Sequence, residues 1–116
     1  MDSFFYLASC DTCRKIMKSL PNLDKIQLRE IKSAPITAGE LDLMKQLSGS
    51  HEALFSRKAQ LYKSLQLKDK NLSEADYRQY ILQHYTFLAR PVLIFESKIY
   101  IGNKPETIAA MAEVLQ

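Results

Sequence analysis

The apolar run Phe4-Phe5-Tyr6-Leu7 gives way almost at once to Cys10-Asp11-Thr12-Cys13-Arg14-Lys15. A short buried strand predicted over residues 3–8 therefore turns directly into a helix over 11–20. There Ile16, Met17 and Leu20 recur at helical spacing until Pro21-Asn22 stops it. The junction carries the only two cysteines of the chain, three positions apart. A thiol attacks as its thiolate, and the unpaired N–H groups and positive dipole end of a helix N-terminus favour an anion. Cys10, at the helix start, is expected to have a lowered pKa. Cys13, one turn further in, lies close enough to close a disulfide with it. Three readings follow from the residues: a redox pair with Cys10 as nucleophile and Cys13 as resolving thiol, half of a zinc site, or two core cysteines. Zinc needs more ligands, and His51 and His84 lie far away without paired spacing, so no metal is expected. Asp11 and Thr12 suit helix initiation, and Thr12 could also donate a hydrogen bond near Cys10. Arg14, Lys15 and Lys18 fall on the exposed face. Arg14 and Lys15 would favour the thiolate and attract an anion, or simply solvate the helix.

Further along, Lys25-Ile26-Gln27-Leu28-Arg29-Glu30-Ile31 alternates polar with apolar, the mark of a strand with one face covered. After the break at Ser33-Ala34-Pro35, Thr37-Ala38-Gly39-Glu40 has the form of a capping box, with Leu41, Met44 and Leu47 following at helical spacing. Ser48-Gly49-Ser50 is a loop, residues 52–66 read as short helical pieces, and Ser73-Glu74-Ala75-Asp76 opens another helix. Its stripe holds Tyr77, Tyr80, Ile81 and His84, so His84 reads as a packed or half-exposed helix residue; His51 has no chemical context. Beyond Arg90-Pro91, Val92-Leu93-Ile94-Phe95 and Ile99-Tyr100-Ile101 flank a turn and form a hairpin. A closing helix runs from about 105 to 115, with Pro105 in the first turn. The order is β-α-β, a helical stretch, then β-β-α. A βαβ unit followed by a hairpin and a helix around one mixed sheet is a thioredoxin-like α/β plan, glutaredoxin-type, and CxxC beside a βαβ pattern is its redox signature. The helical stretch is an inserted subdomain. The core would comprise about 1–34 and 86–116, and the insertion about 35–85, within a single domain 1–116.

At 116 residues, 47% hydrophobic and 25% charged, the chain can bury one real core. No apolar window approaches a membrane span, and Met1-Asp2-Ser3 begins no basic leader, so a cytoplasmic protein is expected, with no membrane association. In that setting a CxxC is catalytic, regulatory or metal-binding rather than structural. The net charge of +3 suits an anionic small molecule or an acidic partner, and no basic stripe with interleaved aromatics points to direct nucleic-acid binding.

The chain resembles the arsenate reductase ArsC / Spx family. The residues that carry the resemblance are Cys10-Asp11-Thr12-Cys13-Arg14-Lys15, Ser56-Arg57-Lys58 with Tyr62, Leu82-Gln83-His84, Leu88-Ala89-Arg90-Pro91-Val92-Leu93-Ile94, and Gly102-Asn103-Lys104-Pro105-Glu106. The resemblance implies a thiol-disulfide oxidoreductase without a bound cofactor, acting on a small oxyanion or thiol substrate. Glutathione with glutaredoxin, or thioredoxin, would be the external reductant. Cys10 matches the attacking cysteine and Arg90 the arginine of an Arg-Pro motif. Lys104 occupies the place of a further arginine. The third arginine's position falls on Ser56, with Arg57 one residue later. Arg14 would help to hold negative charge near Cys10. Pro91 is implied to be cis and beside the cysteines. Cys13 resembles the Spx branch, which implies the alternative: a redox-switched regulator that binds the C-terminal domain of the RNA polymerase α subunit. Gly49 lies near a position of interest in that branch, and equally suits an ordinary turn.

Overall fold

The computed structural model describes residues 2–116. Contacts divide the chain into two compact units, one running to Pro35 and resuming at Arg90–Gln116, the other Ile36–Ala89.

The first unit is built on β1 (Ser3–Tyr6), α1 (Asp11–Ser19) and β2 (Gln27–Glu30), with β3, β4 and α5 added after residue 90. β1 pairs in parallel with β2, in the register Phe4 to Leu28 and Tyr6 to Glu30, and antiparallel with β3 (Val92–Phe95). β3 continues through a hairpin into β4 (Lys98–Ile101), giving the sheet order β2-β1-β3-β4. β1 and β3 are central, which is why their apolar runs are unbroken rather than alternating. Phe4 and Leu93 pack with Ile16 of α1, with Leu20 just past its end, and with Met111 and Leu115 of α5 (Pro105–Leu115). Phe5, Val92 and Ile94 point the other way and are buried as well. Pro105 occupies the first turn of α5, where no intrahelical N–H partner is needed.

β2 departs from the covered strand that its alternation predicts. It lies at the sheet edge, and Leu28 is 42% exposed. Ile26 and Ile31, just outside the strand, are the residues that turn inward. Alternation reports which residues share a face, whereas burial depends on what lies over that face.

In the second unit, α2 (Ala38–Ser48) and α4 (Glu74–Gln83) begin with complete capping boxes, Thr37 with Glu40 and Ser73 with Asp76. α2 stops at Gly49, whose φ of 98° suits a residue without a Cβ. Between them, the 3₁₀ turn Glu52–Leu54 and α3 (Gln60–Ser64) are the short helical pieces expected over residues 52–66, and a further 3₁₀ turn, Leu67–Asp69, lies just beyond them. The core gathers around Phe55, whose ring stacks on Phe87 at 5.3 Å and tilts against Tyr77 at 4.9 Å. His84 ends α4 and stacks on Tyr85 at 4.7 Å, half-buried as its stripe suggested. His51 is buried, with Nε2 3.6 Å from Asp42 and Nδ1 3.4 Å from Glu74. No helix of the described residues is long and apolar enough to cross a membrane.

Candidate active site

The site lies in the first unit, where β1 ends and α1 begins. Cys10 is the N-cap residue of α1: its backbone is extended and its carbonyl accepts the first helical hydrogen bond, from Arg14 N–H at 3.1 Å. Its own N–H donates to the Leu7 carbonyl at 3.1 Å, which closes the turn out of the strand. Cys13 follows within the first turn and is fully buried, whereas Cys10 is half-buried. Both are free thiols.

One helical turn separates two very different sulfurs. At Cys10, burial opposes ionisation, but the Cys13 N–H, the Cys13 thiol and the Arg90 guanidinium together outweigh it and hold the pKa below its ordinary value. At Cys13, burial leads and the neighbouring Cys10 sulfur adds to it, so the pKa rises to about 11 even though the Leu7 N–H acts the other way. The pair therefore presents one thiolate-prone sulfur backed by one sulfur that keeps its proton.

Arg90 reaches this site from the start of β3, and its peptide bond to Pro91 is cis. Pro91 is buried, and its carbonyl accepts from Gly102 N–H at 2.9 Å. Arg14 is directed elsewhere: it donates to the Ala8 carbonyl at 2.7 Å and pairs with Asp11. Thr12 is exposed on α1. Lys104 is the exposed N-cap residue of α5, and only its backbone takes part in that helix start, accepting from Ile108 N–H at 3.0 Å. Arg57 belongs to the second unit, where it donates to Glu52 at 2.8 Å and to the Tyr77 hydroxyl at 3.0 Å, its guanidinium over the Tyr77 ring. Of Arg14, Arg57, Arg90 and Lys104, Arg90 is the one seen acting on Cys10.

Glu30 was not singled out in the sequence. It ends β2 and accepts the Ala8 N–H at 2.9 Å, inside the loop that leads to Cys10. Its register opposite Tyr6 is the only sequence signal that could have pointed to it, and that register needs the sheet order to be known. Among the described residues no group of His, Cys, Asp and Glu is arranged to hold a metal ion.

The chain is similar to several known proteins. The family model described as ArsC matches residues 5–111. An arsenate reductase of Haemophilus influenzae is 41% identical over 51 residues, 44% of this chain and 44% of that relative, so the match spans less than half of the relative's length. The Bacillus cereus protein named global transcriptional regulator Spx 2 is 30% identical over 105 residues, covering 87% of this chain and 79% of its own. An arsenate reductase from Vibrio cholerae has a similar solved structure, with a TM-score of 0.76 at 22% identity over 95% of this chain and 98% of that one. At that identity the likeness speaks for the fold, the thioredoxin-like plan that the element order predicts.

Proposed function

Because the chain belongs to the ArsC family, we propose that it is a thiol-disulfide oxidoreductase in which Cys10 attacks and Cys13 resolves. The observation that carries this reading is the divergence of the two thiols across one helical turn, with Arg90 on the Cys10 side. The Cys10 thiolate attacks one sulfur of a substrate disulfide, forms a mixed disulfide and releases the other sulfur as a thiolate, which takes up a proton. Cys13 then gives up its proton and attacks the Cys10 sulfur. The mixed disulfide breaks, the second substrate thiol leaves, and the Cys10–Cys13 disulfide holds the two electrons' worth of oxidation. An external thiol, from glutathione with glutaredoxin or from thioredoxin, reopens it, and no bound cofactor takes part.

The same thiols could reduce arsenate: Cys10 would displace hydroxide from arsenic, and Cys13 would release arsenite as the disulfide closes. A tetrahedral oxyanion wants several converging donors. Arg14 and Arg57 are engaged by Asp11 and Glu52, which favours a sulfur substrate over the oxyanion. The test is turnover of arsenate and of a glutathione mixed disulfide, with each reductant, alongside Cys10→Ser and Cys13→Ser. Loss of all turnover in Cys10→Ser is expected. Full activity in that variant would overturn the reading.

The 30% identity to Spx 2 over 87% of the chain favours a second reading, a redox-switched transcriptional regulator. In that case the disulfide alters a protein-binding face and no substrate turns over. Specific capture of the C-terminal domain of the polymerase α subunit, different for the reduced and oxidised chain, would select it.

A further inference from the structure

The loop between β1 and Cys10 is held at one residue from two sides. Glu30 Oε2 accepts the Ala8 N–H at 2.9 Å, and Arg14 donates to the Ala8 carbonyl at 2.7 Å. Ala8 is itself exposed and has no side chain able to anchor the turn. The neighbouring Leu7 has a job at each end of its peptide: its N–H faces the Cys13 sulfur, and its carbonyl accepts the Cys10 N–H at 3.1 Å. Where Ala8 sits therefore decides whether both Leu7 contacts are kept.

Glu30 is well fixed for this task. Its other oxygen, Oε1, accepts the Ser33 N–H at 2.8 Å, the Ser33 hydroxyl at 2.8 Å and the Lys32 N–H at 3.1 Å. Four donors converge on one carboxylate, which as an ion offers acceptor sites on both oxygens and draws shorter, stronger hydrogen bonds than a neutral group. Its backbone is fixed too, since Glu30 pairs with Tyr6 in the parallel ladder and its carbonyl accepts the Ala34 N–H at 2.9 Å.

We propose that Glu30 is a positioning residue for the cysteine pair, anchoring Ala8 so that Leu7 and Cys10 hold the geometry in which the two sulfurs face each other across the first turn of α1. The inference rests on the reading of Cys10 as the attacking thiol. Glu30 acts through the Ala8 peptide rather than on either sulfur.

The test uses the full chain with Glu30→Ala and Glu30→Gln. Three quantities are read: cooperative thermal unfolding, exchange of the Ala8 amide by NMR, and ionisation of Cys10 by thiolate absorbance and alkylation rate against pH. In Glu30→Ala the Ala8 amide is expected to exchange faster. The Cys10 ionisation midpoint moves up, and alkylation below it slows by about three- to tenfold, the scale of one ordinary hydrogen bond. Glu30→Gln, which keeps one acceptor oxygen, shifts in the same direction by less. The sign is diagnostic. Removing a negative charge would by itself favour a nearby thiolate, so a rise marks lost geometry rather than lost charge. If Glu30→Ala does not fold, the near-isosteric Glu30→Gln decides. Wild-type Cys10 titration in a folded variant, or unaltered Ala8 exchange, overturns the proposal while leaving the function standing. A wild-type Cys10 that titrates as an ordinary thiol overturns both.

Discussion

The guanidinium of Arg90, the residue before Pro91, lies against the sulfur of Cys10 and favours its thiolate. Burial at Cys10 works the other way, so the depressed pKa depends on the groups that oppose it. Arg90→Gln removes both a donor and a charge and should raise the Cys10 pKa, slowing its alkylation at neutral pH by about three- to tenfold. Arg90→Lys keeps the charge without the planar fork and should fall between. Wild-type alkylation rates in Arg90→Gln, measured across the Cys10 titration, would remove Arg90 from the site.

The second step should be limited by the proton on Cys13. Burial, the leading cause of its raised pKa, persists once Cys10 is held in the mixed disulfide, so most of Cys13 stays protonated at pH 8. With an aromatic disulfide reagent, release of the first leaving thiolate should be fast and that of the second slow. The slow phase should gain about tenfold per pH unit through the alkaline range, because only the thiolate attacks. Cys13→Ser should abolish it and leave the first phase. A slow phase that ignores pH would mean that Cys13 is deprotonated by another route.

The junction at Cys10 was legible because a strand pattern stops and a helix pattern starts within a few residues, and the Thr37–Glu40 capping box was legible because its partners lie three apart; at Ser73 the helix start was read, and the structure adds the box with Asp76. The parts that stayed hidden join residues far apart in the chain. Glu30 meets Ala8 from 22 positions away, and Glu74 meets His51 from 23. No local spacing encodes such pairs; they follow from sheet register and helix packing. Arg14 shows the same limit from the other side. Its position beside the CxxC suggests an anion ligand, yet Asp11 at the same helix start and the Ala8 carbonyl engage it. Leu28 alternates like a buried residue but sits on an edge strand.

The hairpin between β3 and β4 should be open to improvement. Its two turn residues, Glu96 and Ser97, both adopt left-handed backbone, with φ of 49° and 65°, a conformation that hairpin turns ordinarily assign to asparagine and glycine. A non-glycine residue there costs roughly 1–2 kcal/mol, part of which is returned by its lower entropy in the unfolded chain. Ser97→Gly should therefore stabilise the protein by about 0.5 kcal/mol, read from urea unfolding. Glu96 N–H donates to Asp2 at 3.0 Å, so the substitution belongs at Ser97, away from that contact. Destabilisation by Ser97→Gly would show that the serine side chain contributes more than its backbone conformation costs.

Stability should fall in acid through four carboxylates. The Ala8 N–H lowers the pKa of Glu30, the Arg78 guanidinium that of Asp42, the His51 N–H that of Glu74, and the Ser73 N–H that of Asp76. In the unfolded chain these groups take up protons near 4.5 for glutamate and 3.8 for aspartate; in the fold they do so at lower pH. The unfolded state therefore binds more protons within that window, and unfolding gains as the pH drops. Their contribution is complete above the unfolded values and is lost as pH falls through the depressed ones, so urea midpoints should decline as the pH drops below about 5. Solvent screening keeps each share small. Asp42→Asn combined with Glu74→Gln should lower the midpoint at neutral pH and flatten its decline in acid, because two of the proton-linked groups are gone. An equally steep decline in that double variant would place the acid sensitivity elsewhere in the chain.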